Sequence, residues 1–187
     1  DGAQELAAYR ETRGLSTTVA KLTDVFDEFS GGIYDPFAIR EFIAYALSNW
    51  SSAPQYVVLV GHGTYDFKAV LERFSIDLNN LMPVVMTKTP YGTFGFVNLY
   101  GDVDGDSLPD VALGRIPAKT NAQVQAVVAK IPAYEASLST PDKQVIMLAD
   151  KPDTGPFNDF PGDSDNLATL ISEDYTVEKI YYPGLSK

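Results

Sequence analysis

The sequence predicts an α/β fold, a mainly parallel sheet with helices on both faces in a three-layer α/β/α arrangement. Three observations carry this prediction. Helix-like and strand-like segments alternate along the chain. Gln55–Gly61 (QYVVLVG) is continuously apolar and ends in glycine, the pattern of a strand covered on both faces. Gln144–Ala149 is a second such run and leads directly into Asp150.

The elements follow in order. Residues Ala3–Arg13 read as a helix with Leu6, Tyr9 and Arg13 on one side and Gly14 as its stop. Leu15–Leu22 is rich in Thr and Val and reads as a strand. Thr23 opens a short helical turn carrying Val25, Phe26 and Phe29, which Ser30-Gly31-Gly32 ends. The clearest helix follows, with Asp35 as N-cap and Pro36 in the first turn. Its apolar stripe runs through Ile39, Phe42, Ile43, Ala46, Leu47 and Trp50 at helical spacing.

Pro83–Thr87 is a weaker strand, and Tyr91–Tyr100 is aromatic, glycine-rich and unassigned. Val111–Leu113 is a short strand ending at Gly114-Arg115. Asn121–Leu138 reads as a long helix with Val124, Val127, Val128, Ile131, Tyr134 and Leu138 on one face, kinked at Pro132. Lys151–Pro161, with three prolines, is the best loop or boundary. Ser164–Ser172 then reads as a helix, capped by Asp163 or Ser164, and Tyr175–Tyr182 as the last strand.

Composition narrows the function. The 187 residues suit one domain, or one domain and part of another. With 45 % hydrophobic residues the chain can bury a core. A formal net charge of -11 argues against nucleic acid and against anionic membranes as partners. No apolar run approaches the ~20 residues of a membrane span. The absence of an initiator Met and of a leader pattern suggests a piece of a longer protein. There is no cysteine, which excludes disulfides, thiolate metal sites and a cysteine nucleophile within these residues. The single histidine, His62, excludes a His-rich metal site.

In an open α/β sheet the functional groups gather at the carboxyl ends of strands. Those ends carry His62, the aspartates of the 102–110 segment and Asp150. Asp102, Asp104, Asp106 and Asp110 lie in DVDGDSLPD, a spacing that lets hard carboxylate oxygens wrap one calcium ion. It is not an EF-hand. The glycine comes one position early, and Leu113 stands where a bidentate Glu belongs. Four carboxylates this close repel one another without a cation. The plain alternative is a solvated acidic turn. VGHGTYD has too few glycines for a dinucleotide fingerprint, and no P-loop is present, so a receiver-like or nucleotide-binding domain is disfavoured.

Taken together, GLSTTVAKLTDVFDEFSGGIYDPFAIREFIAYA, YVVLVGHGTYDFK, YGDVDGDSLPDVALGRIPAKT, KIPAYE and VIMLAD resemble the gingipain family of cysteine endopeptidases over nearly the whole chain. The most specific piece is the acidic loop running into VALGRIPAKT. The resemblance implies a caspase-like α/β/α fold in two subdomains. The first is a degenerate copy without catalytic residues, and the second carries His-Gly after one strand and Cys after the next. Residues 1–140 correspond to the first subdomain and 141–187 to the opening of the second, short of the catalytic pair. His62 then falls in the non-catalytic half, where relatives often carry an aspartate. The resemblance further implies calcium at Asp102–Asp110. It also implies an aspartate near the start of the helix after VIMLAD that holds a basic substrate side chain, with Asp159, Asp163 and Asp165 as candidates. The implied setting is a bacterial secreted or cell-surface protein, with a polypeptide substrate and the carboxy-terminal remainder of the catalytic domain as partners. A sortase-like transpeptidase belongs to the same family. The competing reading is a non-enzymatic, calcium-binding α/β module of such a protein.

Overall fold

The computed structural model describes residues 1–65, 81–90, 92–137, 143–152 and 159–182. The chain divides into two compact units, Asp1–Ala133 and Tyr134–Lys187.

The first unit opens with α1 (Gly2–Thr12). Asp1 caps it by accepting from the backbone N–H groups of Ala3 and Gln4, with the Gln4 side chain completing a capping box. The strand expected at Leu15–Leu22 does not form: residues 15–21 pair with no described strand, and Leu22 already opens α2 (Leu22–Ser30). Helix α2 is strongly amphipathic and buries Val25 and Phe26, while the Thr- and Val-rich residues before it stay irregular, since β preference alone forms no strand without a partner to pair with. Gly31 ends it in the left-handed conformation, at φ 62°.

Helix α3 (Pro36–Asn49) starts where the sequence says, with the Asp35 carboxylate accepting from Phe37 N at 2.9 Å. Strand β1 (Tyr56–Val60) pairs in parallel with β4 (Ala112–Ile116), bringing Val60 opposite Ile116. Between them lies an antiparallel hairpin, β2 (Met86–Thr89) and β3 (Gly92–Gly95), followed by a 3-10 turn at Val97–Tyr100. Helix α4 (Asn121–Ser137) runs on through Pro132; Leu138, the end of its expected face, lies outside the described residues.

Alternation along β1 and β4 builds two cores on opposite faces. Leu59, Val57 and Leu113 pack with Ile39 and Ile43 of α3, and with Tyr100 and Val111. Val60 and Ile116 pack on the other face with Leu6 of α1 and Val124 and Val128 of α4. The result is helix, strand pair, helix. Among the described residues, those packed on the second face lie toward the carboxyl ends of β1 and β4. Tyr56 and Val58 therefore stay 66 % and 46 % exposed, contrary to the expected burial of both faces along the whole strand.

The second unit holds a β–α–β unit. Strand β5 (Gln144–Ala149) pairs in parallel with β6 (Thr176–Tyr181), and α5 (Phe160–Ala168) lies between them in sequence and packs on β5. Helix α5 begins four residues before the expected Ser164. Asp159 caps it, and Pro161 in the first turn is pre-set for helical φ. Asp163 and Ser164 therefore lie inside the helix rather than at its cap. The fold is mixed α/β with parallel pairing in both units.

Candidate functional site

The acidic loop follows the 3-10 turn and leads into β4. Three of its four aspartates converge: Asp102, Asp104 and Asp106 each offer a carboxylate oxygen, all within 4.8 Å of one another. The loop is folded by its own carboxylates. Asp102 is buried and accepts from Gly105 N at 2.7 Å and Ser107 N at 3.2 Å. Asp104 accepts from Asp106 N, and Asp106 from Leu108 N, each two residues on. Gly105 and Ser107 take positive φ, at 84° and 75°, to make the turn. Asp110 plays another part. Its carboxylate accepts from Val103 N at 2.9 Å and ties the end of the loop to its start.

Three carboxylate oxygens this close could together hold one metal ion. Each carboxylate oxygen keeps lone-pair capacity beyond its bond to a backbone N–H.

His62 follows β1 and is anchored by its backbone. Its N–H donates to Ala118 O at 2.8 Å, and its carbonyl accepts from Leu81 N and Met82 N at 2.9 Å each. Gly63 has no room for a side chain: a Cβ there would meet Met82 O, Val84 Cγ2 and the Arg115 guanidinium. Arg115 Nη2 donates to Met82 O at 2.8 Å and to Gly61 O at 3.3 Å, stitching the ends of β1 and β4 to the segment before β2. Burial pushes the Arg115 pKa below its usual value, and the neighbouring Tyr100 and Tyr34 oppose that shift. His62 is thus held through its backbone, between Ala118 and the Leu81-Met82 segment.

The candidate substrate-binding aspartates separate by what they touch. Asp159 accepts from Gly162 N at 3.2 Å as the cap of α5, and a Cβ at Gly162 would run into its carboxylate. Asp165 Oδ1 accepts from Lys179 Nζ at 2.8 Å and from Tyr181 Oη at 2.6 Å. The Lys179 bond, then the Tyr181 bond, hold the Asp165 carboxyl below the usual carboxylate range, and the same Asp165 bond raises Lys179. Asp163 stands exposed in the first turn of α5. At the carboxyl ends of β5 and β6, an open groove is lined by Leu148, Asp150, Lys151, Ile180, Tyr181 and Tyr182.

Sequence reading missed Arg40, Arg115, Lys179 and Tyr181 as site neighbours. Only the last two left a signal: they alternate on one strand and so share a face.

The sequence matches the model of peptidase family C25 over residues 1–186. The chain belongs to that family, the gingipain family of cysteine peptidases. No curated protein and no solved structure matches it. Membership assigns the chain to proteolysis, with polypeptide as the substrate class. Among the described residues no helix is long and apolar enough to cross a membrane.

Proposed function

We propose that these residues form the amino-terminal part of the catalytic domain of a gingipain-like cysteine endopeptidase. Its parent hydrolyses peptide bonds through a Cys–His dyad carboxy-terminal to residue 187. The observation that carries this reading is the family match over residues 1–186 in a sequence with no cysteine and one histidine. Cysteine catalysis needs a thiolate and a base beside it. Without a thiol, residues 1–187 are inactive alone and act as scaffold. Residues 1–140 are the non-catalytic subdomain, and 141–187 open the catalytic one.

Calcium is the structural ion of this part, held by Asp102, Asp104 and Asp106, with Asp110 closing the loop. The convergence of three oxygens supports this reading. Asp163 is the carboxylate that receives a basic substrate side chain. Asp159 is committed to its cap and Asp165 to Lys179 and Tyr181, while Asp163 is exposed one turn into α5. The parent works outside the cell, secreted or at the surface of a bacterium.

The test is peptide-bond hydrolysis by the longer polypeptide with and without His62→Ala. Unchanged turnover supports a structural His62 and a dyad elsewhere. A loss of about a thousandfold or more puts His62 into the chemistry. A parent without turnover in either form points to the non-enzymatic calcium-binding module instead.

A further inference from the structure

The α2–α3 pair carries an aromatic wall that the peptidase reading does not use. The Phe29 ring meets Phe42 at 5.7 Å and Tyr45 at 5.8 Å between centroids, and Phe42 meets Trp50 at 5.9 Å, all edge to face. Tyr45 is 50 % and Trp50 36 % exposed, so the wall faces solvent. Its charge is one-sided. Leu22–Trp50 contains Asp24, Asp27, Glu28, Asp35 and Glu41 against a single base, Arg40. Arg40 donates from Nε to the Asp102 carbonyl and so is directed to the acidic loop. Glu41 lies one turn before Tyr45 on the same face, and Glu28 adjoins Phe29; both are exposed.

We propose that this wall is a docking surface for a lysine- or arginine-rich polypeptide segment with apolar anchor residues. Ring faces attract such cations, and the flanking carboxylates pair with them. The apolar part of the segment covers ring surface that water now meets. The charge of the patch excludes acidic partners and selects a basic one.

Trp50 is the sole tryptophan and reports on the site. The experiment titrates the full chain with a peptide of alternating lysine and leucine, and with its glutamate-for-lysine counterpart, following Trp50 emission. The lysine peptide is expected to give a saturable shift that weakens with added salt. Tyr45→Ala is expected to weaken it about tenfold, the loss of one ring at a contact centre. Glu28→Gln with Glu41→Gln should weaken it and flatten its salt dependence, while Tyr134→Ala, an exposed ring elsewhere, should leave it unchanged. The proposal is overturned by equal binding of the acidic peptide, by an unaltered Tyr45→Ala titration, or by no saturable change. An emission change that tracks protein concentration without peptide overturns it too, in favour of a second copy of this chain.

Discussion

Arg40 reaches from α3 to the acidic loop and donates from Nε to the backbone carbonyl of Asp102 at 2.6 Å. The bond joins residues 62 apart in sequence and fixes the first aspartate of the cluster against the helix. Asp102 N–H donates to Asn98 O at 3.1 Å, so the start of the loop is held on two sides by the protein itself. Arg40→Met keeps the stem and removes the donor. It is expected to lower the unfolding free energy by about 1.5–3 kcal/mol, the range for a bond from a charged group. Urea unfolding checks this, and a change below about 0.5 kcal/mol would show the bond to be dispensable.

Millimolar calcium should raise the melting temperature of the chain. At a hundredfold excess over Kd the gain is about 2.7 kcal/mol, or roughly 5–11 °C for a chain of this size. Asp104→Ala should abolish the rise while costing little in the absence of calcium, since Asp104 is exposed. Asp102→Ala should destabilise the chain even in a chelator, because its buried carboxylate serves two backbone donors. A wild-type melting curve indifferent to calcium would remove the ion from the account.

Tyr100 is fully buried and donates its hydroxyl hydrogen to Pro83 O at 2.8 Å. Burial raises its pKa well above the ordinary tyrosine value. The fold therefore holds the neutral phenol, whereas the unfolded chain ionises near pH ~10. The contribution is complete below that pH and is lost as pH rises through and beyond it, by up to about 1.4 kcal/mol per unit. Tyr100→Phe should cost about 1 kcal/mol at neutral pH. Its stability should also fall less steeply than wild type in alkaline melts.

In the longer polypeptide, Asp163→Asn should lower kcat/KM for basic substrates by about thirtyfold or more, the effect of removing one partner of a charge pair. Asp165→Asn should act more weakly, since that carboxylate is already bonded to Lys179 and Tyr181. Equal losses in the two variants would contradict the separation of roles.

What could be read in advance followed local chemistry. The cap at Asp35 and the first-turn Pro36 are decided within a few residues and hold. The apolar stripe of α3 holds at Ile39, Ile43 and Ala46, while its last member, Trp50, lies past the helix end and is exposed. The strand runs of β1, β5 and β6 were legible for the same reason. Leu15–Leu22 was misread because β preference is local whereas a strand needs a neighbour to pair with, and residues 15–21 pair with no described strand. The start of α5 was misplaced because Asp159 and Asp163 both suit a cap; Gly162, with space only for a hydrogen beside the Asp159 carboxylate, decides between them. In the acidic loop the spacing pointed to four aspartates, but not that Asp110 turns to Val103 N while the other three converge. Arg40 and Arg115 act across 62 and 33 residues, and nothing in the sequence near them signals it.

The central claim is that this chain scaffolds a cysteine peptidase whose nucleophile lies outside it. The most direct measurement treats the longer polypeptide with a peptidyl thiol-alkylating probe and maps the label by mass spectrometry. The account predicts one labelled cysteine beyond residue 187, retained in the His62→Ala variant and lost when a histidine beyond residue 187 is replaced. A longer polypeptide that takes no label, or peptide-bond cleavage by residues 1–187 alone, would contradict it.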